Sequence, residues 1–179
     1  LFMDEFWKKS RDVQRNMADK LMNIATPEDE NFFLRILADI NDGDIIKSAL
    51  YFLGCAASSE DAVARLKEFL DHPYDDVKEA ALESCIATNA PGLNDYFRER
   101  VRHTDSVQRM MAVYALGRLD PAGNFDLLKA ALDDENPDVR RVALEALGSQ
   151  QPILPEYSEA MGSRLYDPSN EVRHALVQI

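Results

Sequence analysis

The feature that most constrains this chain is a sequence repeat with a period of 31 or 32 residues. Its mark is a hydrophobic residue near the end of each of six segments with helical periodicity, and we call these positions the anchors. The anchors are Leu21, Leu53, Cys85, Leu116, Leu147 and Ile179. A repeat of this length is one supersecondary unit, which buries its hydrophobic face only by stacking against its neighbours. The period therefore predicts a stack of similar units.

Two further columns of residues keep the same period. Four positions before the anchors stand Met17, Ala49, Ala81, Ala112, Ala143 and Ala175. About eight positions before them, with Val107 and Val172 displaced by one, stand Val13, Ile45, Val77, Val107, Val139 and Val172. Residues spaced by four share one helical face, so all three columns are predicted to be buried. Gly54, Gly117 and Gly148 follow three anchors and are predicted to end their helices in the left-handed conformation.

A second amphipathic segment precedes most of the anchor-bearing segments. Each repeat is therefore predicted to be a helical hairpin whose second helix carries the anchor. The predicted helices span 4–24, 28–40, 44–55, 59–71, 74–88, 91–103, 105–118, 123–133, 137–149, 154–166 and 169–179. Ser58 and Asp61 are predicted to form a variant capping box.

The segment from Asn136 to Gly148, NPDVRRVALEALG, resembles the second helix of a short HEAT repeat of the bilin-lyase type, which reads D-x-V-R-x-x-A-x-x-A-L-G. Residues 76–82, 106–117 and 171–176 are similar to it. The resemblance implies an all-α, right-handed α-α superhelix of about five to six helical hairpins, forming a single domain over 1–179. Residues 1–24 are expected to form a capping helix that folds Phe2, Phe6 and Trp7 over the stack. The expected repeats are 28–55, 59–88, 91–118, 123–149 and 154–179.

Charge and composition narrow the classes of partner. The chain carries 20 basic and 32 acidic side chains, a net charge of −12, whereas a nucleic-acid backbone requires a basic face. No apolar run approaches the roughly 20 residues of a membrane span. The start of the chain lacks the basic region of a signal peptide, and Cys55 and Cys85 lack CxxC spacing. We therefore expect two buried free thiols in a cytoplasmic protein.

The two ends of the chain also carry expectations. The sequence begins with Leu1 rather than Met, and it ends on the apolar residues Leu176, Val177 and Ile179. A stack of repeats needs polar ends for solubility. We therefore expect the natural protein to be longer, or its last helix to be covered.

The family resemblance implies that the second helices line a concave surface where partners bind. Positions two and six before the anchors are predicted to point outward on these helices. The first column reads Asp19, Tyr51, Glu83, Tyr114, Glu145 and Val177, and the other reads Arg15, Lys47, Glu79, Met110, Arg141 and Arg173. Arg15 with Asp19, and Arg141 with Glu145, are predicted to form ion pairs one helical turn apart.

The central members of these columns form the predicted protein-binding site: Tyr51, Glu79, Glu83, Met110 and Tyr114. Tyr and Met are enriched in the cores of interfaces, and the two Glu side chains favour a partner with a basic surface. The alternative is that Met110 and Tyr114 pack inward beneath a curved stack.

Catalytic and metal motifs are missing from the sequence. It has no phosphate-binding glycine loop, no GxSxG and no HExxH. His72, His103, Asp134 and Asp167 occupy equivalent turns, but layers about 10 Å apart cannot share one metal ion. These four are predicted to be polar residues of exposed turns, and no catalytic residue, metal or cofactor is predicted. The basic residues Arg98, Arg100, Arg102 and Arg109 are predicted to form a solvated helix end, and the alternative is a local contact with an anionic group.

The pattern favours a non-enzymatic scaffold or adaptor that binds a protein on its concave face. Two alternatives come from the family resemblance. A bilin-lyase-like enzyme or accessory subunit would change the absorbance of an added bilin, and an immunity-type inhibitor would bind a basic toxin. The repeat residues are structural and do not select among these functions.

Overall fold

The computed structural model of this chain describes residues 2–57 and 59–179, and every regular element in these two ranges is a helix. The α-helices are α1 (Phe2–Phe6), α2 (Arg11–Ile24), α3 (Glu30–Asp39), α4 (Gly43–Ala56), α5 (Glu60–Glu68), α6 (Asp75–Thr88), α7 (Leu93–Arg100), α8 (Ser106–Leu119), α9 (Phe125–Ala131), α10 (Pro137–Gly148), α11 (Pro155–Gly162) and α12 (Asn170–Gln178). Short 3₁₀ turns occupy Pro27–Asp29, Phe69–Asp71 and Ser163–Tyr166. None of the described helices is long and apolar enough to cross a membrane.

Contacts divide the chain into an N-terminal unit, Leu1–Ala90, and a C-terminal unit, Pro91–Ile179. In the N-terminal unit, the second helices α2, α4 and α6 pack in that order, while α3 packs on α4 and α5 on α6. Ala49 and Ala81 are fully buried in α4 and α6. The anchors Leu21, Leu53 and Cys85 are buried beside them, as predicted.

The C-terminal unit repeats the same arrangement. Its second helices α8, α10 and α12 pack in order, α7 packs on α8, and α9 packs on both α8 and α10. Ala112 and Ala143 are fully buried, as are the anchors Leu116 and Leu147. Each unit is thus a set of helical hairpins with its small-residue column in the core.

The prediction that the column eight positions before the anchors is buried is wrong at two places. Val13 is 43% exposed and Val107 is 38% exposed. The inward positions are taken by glutamines, and a buried amide needs hydrogen-bond partners. The Gln14 Nε2 atom donates to the Phe6 carbonyl oxygen at 2.9 Å, and Gln108 Oε1 accepts from Arg100 Nη1 at 2.5 Å.

The last anchor is also misplaced by one residue. Ile179 is 41% exposed, whereas the other five anchors are buried. Asp167 follows the equivalent Asp134 by 33 residues instead of 31 or 32. The extra residue lies between α10 and α11, whose connection 149–154 is one residue longer than the connection 120–124 between α8 and α9, and it shifts the numbering of every position in α12 by one. His174 and Gln178, rather than Arg173 and Val177, therefore occupy the outward columns of this helix.

The predicted first helix 4–24 is interrupted. It divides into α1 and α2, because the chain turns at Lys8 and Lys9 and becomes extended at Ser10. The break allows the Phe6 ring to be fully buried, with Trp7 and Phe32 in edge contact at centroid distances of 5.1 and 5.3 Å. The aromatic packing predicted for this end is present at Phe6 and Trp7.

Two expectations fall partly beyond the described residues. The Phe2 side chain, predicted to join the aromatic cap, lies outside them, and so does Ser58 of the predicted capping box. The neighbouring Ser59 caps α5, because its side-chain oxygen accepts from the Ala62 backbone N–H at 3.1 Å.

The glycines after the anchors do not end helices in the left-handed conformation. Gly54 and Gly117 lie inside α4 and α8. A Cβ atom on Gly54 would lie 2.8 Å from Ser84 Cα, and one on Gly117 would lie 2.6 Å from Ala146 Cβ. Real Cβ atoms do not approach other atoms so closely. These glycines are therefore required by the close approach of neighbouring second helices.

We predict that Gly54→Ala destabilises the N-terminal unit. The added methyl group meets the backbone of α6, and overpacking of this kind costs about 1–3 kcal/mol in the free energy of unfolding. Gly43→Ala in the same helix is the matched control, because its nearest neighbour would be Val77 Cγ2 at an ordinary 3.9 Å. Urea unfolding followed by circular dichroism measures both variants. Equal stability of the two would contradict the close-approach explanation.

Candidate functional site

The predicted site residues all lie on second helices, and none is buried. Tyr51 of α4 is 42% exposed and Glu79 of α6 is exposed, while Glu83, Met110 and Tyr114 are half-buried. Met110 and Tyr114 are therefore neither enclosed in the core nor freely exposed. Tyr51, Glu79 and Glu83 lie on adjacent helices of the N-terminal unit, and Met110 and Tyr114 lie on α8 of the C-terminal unit.

An open groove of about 390 Å³ lies between α2 and α4. Its lining consists of outward residues of these two helices: Arg15, Asn16, Asp19, Met22, Asp44, Lys47, Ser48 and Tyr51. These include both predicted columns of each helix. The floor of the groove is the contact between α2 and α4, and its walls are the outward side chains of these two helices.

The two cations in this groove are bound by carboxylates. Arg15 does not pair with Asp19 as predicted; its Nη2 lies 2.7 Å from Asp42 Oδ2 and its Nη1 lies 2.9 Å from Asp12 Oδ1. The Arg15 guanidinium lowers the pKa of the Asp42 carboxyl, which also caps α4 by accepting from a backbone N–H.

Lys47 is held in the same way. Its Nζ lies 3.1 Å from Asp44 Oδ1 and 2.8 Å from Asp76 Oδ2 at the start of α6. The hydrogen bond to Asp76 is the largest cause of a raised Lys47 pKa. The groove therefore presents no unpaired positive charge.

The C-terminal unit has a larger groove of about 900 Å³ between α10 and α12. The predicted pair of Arg141 and Glu145 forms there, with Nη1 and Oε1 2.7 Å apart. His174 and Gln178 line the opposite wall, as the corrected register requires. On α8, Arg118 Nη1 donates to the Tyr114 hydroxyl at 3.1 Å.

Two bidentate ion pairs of the C-terminal unit were not foreseen from the sequence. Arg109 Nε and Nη2 donate to the two Asp134 carboxylate oxygens at 2.8 and 2.9 Å. Arg140 makes the same bidentate contact with Asp167 at 2.8 and 2.7 Å. Both arginines also donate to carbonyl groups of the turn before their own helix. Each arginine thus ties its own turn to the next one along the chain.

These contacts correct two predictions about charged residues. Asp167 is buried rather than placed in an exposed turn. Arg109 is only 8% exposed and is not part of a solvated helix end. The signal that could have shown this was the recurrence of Arg after Val in the second helices together with Asp in the preceding turns.

The turn column has a common local role. His72 Nδ1 accepts from the Tyr74 N–H at 3.2 Å, and His103 Nδ1 accepts from the Asp105 N–H at 3.0 Å. Asp134 and Asp167 accept from the N–H two residues later in the same way. Within ranges 2–57 and 59–179, no three His, Cys, Asp or Glu residues are grouped as a metal site requires.

The two cysteines differ in environment. Both are free thiols, but Cys55 is exposed, so the prediction that both are buried is wrong for this residue. Cys85 is fully buried, and burial raises the pKa of its thiol to about 12. Cys85 therefore acts as a small hydrophobic anchor of the core.

Comparison with known proteins gives the same class of fold. A family model described as HEAT repeats matches residues 89–179. No protein of curated function matches the sequence.

Similar solved structures include an engineered protein, with 15% identity, a TM-score of 0.48 and coverage of 99% of this chain and 92% of that one. A designed armadillo repeat protein shares 14% identity, a TM-score of 0.47 and coverage of 98% and 95%. Another, in complex with the peptide (KR)4, shares 15% identity, a TM-score of 0.50 and coverage of 99% and 97%. At this identity, the likeness concerns the fold alone.

We predict that Arg140→Gln costs about 3 kcal/mol of unfolding free energy, because the buried Asp167 carboxylate loses its bidentate partner and keeps only Arg164, whose Nη1 lies 3.8 Å away. Arg141→Gln is the matched control: it breaks a part-exposed pair in the same helix and is expected to cost less than about 1 kcal/mol. Urea unfolding at neutral pH compares the two. Equal losses would show that the buried pair has no special role.

The same pair predicts a pH dependence. Hydrogen bonds from Arg140 lower the pKa of the Asp167 carboxyl below its usual range. Its stabilising effect is therefore complete above the unfolded-state pKa of about 3.9 and is lost as the pH falls through the lower folded-state pKa. The stability difference between the wild type and Arg140→Gln should narrow in that acidic window. A constant difference would contradict the linkage.

Proposed function

Because this chain belongs to the HEAT-repeat family, we propose that it is a non-enzymatic scaffold or adaptor that binds a protein on its second helices. The contact residues are Tyr51, Glu79 and Glu83 in the N-terminal unit and Met110 and Tyr114 in the C-terminal unit. The resemblance predicts that this face is the concave one. A fold of this kind commonly serves protein interaction, and its repeats provide an extended surface.

The observation that carries the proposal is the division of each second helix into a buried and an outward side. On α4, Ala49 and Leu53 are fully buried while Tyr51 between them is 42% exposed. On α8, Ala112 and Leu116 are fully buried while Tyr114 is half-buried. Aromatic side chains at such positions bring large contact area at a small entropic cost, and Tyr is enriched in binding hot spots.

The charge of the surface supports a partner with a basic face. The net charge is −12, and Glu79 is exposed beside the groove-forming helix α4. Both cations of the N-terminal groove are already bound to carboxylates. Complementary charge would raise the association rate and select against acidic partners.

One structural neighbour makes such a partner physically reasonable. The designed armadillo repeat protein described above was solved with the cationic peptide (KR)4. That protein shows that a helical-repeat fold can hold a basic peptide. The exposed free thiol of Cys55 fits a reducing compartment, so we place the proposed function in the cytoplasm.

We predict that Tyr51→Ala combined with Tyr114→Ala weakens partner binding by roughly thirtyfold, the loss expected for about 2 kcal/mol at a hot spot. The matched control is Tyr166→Ala, which removes a 93% exposed tyrosine of the 163–166 turn. Proteins captured by each bait from a lysate of the source cells are compared quantitatively. The captured protein is then purified and titrated against all three baits by calorimetry.

The two possible results are distinct. A protein that binds the wild type and Tyr166→Ala equally, but is lost from the double variant, supports the proposed face. A protein that binds all three baits with equal affinity places the interface elsewhere. Circular dichroism of each bait checks that the helices are retained.

A further inference from the structure

We propose that the groove between α2 and α4 is the seat of a single arginine side chain of the partner, held between the Asp19 carboxylate and the Tyr51 ring. This inference rests on the proposed function and names the chemistry that the N-terminal part of the site recognises. It commits to one occupant, a guanidinium group carried on an extended segment of another protein.

The charge state of the groove excludes an anionic occupant. Arg15 and Lys47 are its two cations, and each of them contacts two carboxylates within 3.1 Å. An anion could bind only by displacing these carboxylates. The groove therefore offers acceptors rather than donors to a charged group.

Asp19 is the acceptor that remains available. It is exposed in the groove wall, and no side chain in the described ranges pairs with its carboxylate. Asp44, the other acidic residue of the lining, is already 3.1 Å from Lys47. A carboxylate with two open oxygens matches the fork of N–H donors on a guanidinium group.

The Tyr51 ring supplies the second contact for the guanidinium group, beside the Asp19 carboxylate. In each unit a half-buried ring already carries an arginine from the chain itself: the Arg35 Cζ atom lies 4.3 Å from the Trp7 ring centroid, and Arg118 Cζ lies 5.8 Å from that of Tyr114. Tyr51 lines the groove and, among the described residues, no cation lies over its ring. A guanidinium can stack on an aromatic face while its edge binds a carboxylate, which a lysine ammonium cannot do.

The dimensions and the remaining lining fit this occupant. The groove holds about 390 Å³, which is ample for one arginine side chain and the backbone that carries it. Met22 lies in the same lining and gives its methylene stem an apolar contact. Asn16 and Ser48 are engaged locally, since each donates to a carbonyl oxygen of its own helix.

The test uses the full chain and two capped peptides, acetyl-(Gly-Arg)3-amide and the same peptide with citrulline in place of arginine. Citrulline keeps the shape of the side chain and removes its charge. Binding is measured by calorimetry at low salt, and the site is mapped by the chemical shifts of the backbone amides. We expect the arginine peptide to bind and to shift resonances of α2 and α4, and the citrulline peptide to bind at least about fivefold more weakly.

Three variants and one control locate the interaction. Asp19→Asn is expected to weaken the arginine peptide about fivefold. Tyr51→Leu is expected to weaken it about threefold, while Tyr51→Phe keeps the ring and binds like the wild type. Asp126→Asn is the control, because it removes the same charge from an exposed position on α9 outside the groove.

Several outcomes would overturn the inference. They are equal binding of the arginine and citrulline peptides, equal losses for Asp19→Asn and Asp126→Asn, or shifts confined to other helices. Absence of any binding at millimolar peptide would do the same. If the captured partner is lost from the Tyr51 and Tyr114 double variant but binds Asp19→Asn normally, the proposed function stands and the arginine seat is wrong. If the peptide results hold while the captured protein binds the double variant as tightly as the wild type, the arginine seat stands and the proposed function is wrong.

Discussion

The close approach of neighbouring second helices is the constraint on which the rest of the structure depends. Where α4 meets α6, Gly54 leaves no room for a Cβ atom beside Ser84, and where α8 meets α10, Gly117 leaves none beside Ala146. The inner alanines beside these points are fully buried. These two contacts set the spacing of the second helices on which the candidate binding residues stand.

Polar contacts add direction to this packing. Small residues alone would allow one helix to slide along another, since apolar contact is not directional. In the C-terminal unit, the bidentate pairs of Arg109 with Asp134 and Arg140 with Asp167 have a fixed geometry and join a helix start to the following turn. In the N-terminal unit, Arg15 and Lys47 reach forward to Asp42 and Asp76 in a more exposed way. These four cations are thus paired within the chain itself, and the acidic side chains outnumber the basic ones by 32 to 20.

The sequence predicted the repeat, the hairpins and the outward columns because these depend on spacing alone. Ala49, Ala81, Ala112 and Ala143 are buried as expected. The misses at Val13, Val107 and Ile179 have one cause: a period averaged over six repeats does not reveal local shifts of a single residue. The break before α2 was missed because burial of the Phe6 ring is a tertiary effect. The ion pairs of Arg109 and Arg140 were missed because their partners lie 25 and 27 residues away. The binding role of the outward residues stays a prediction, since the repeat pattern constrains only the buried side.

The longer connection between α10 and α11 has a consequence for how such chains diversify. It spans residues 149–154 and is one residue longer than the connection 120–124 between α8 and α9. The next hairpin absorbs the difference: Val172 is buried as Val139 is, and Arg173, like Arg140, donates to a carbonyl oxygen of the turn before its own helix. His174 and Gln178 therefore face the groove because of their places within their own helix, whatever the count from earlier repeats. A repeat of this kind can change the length of its connections while each second helix keeps its buried and outward faces.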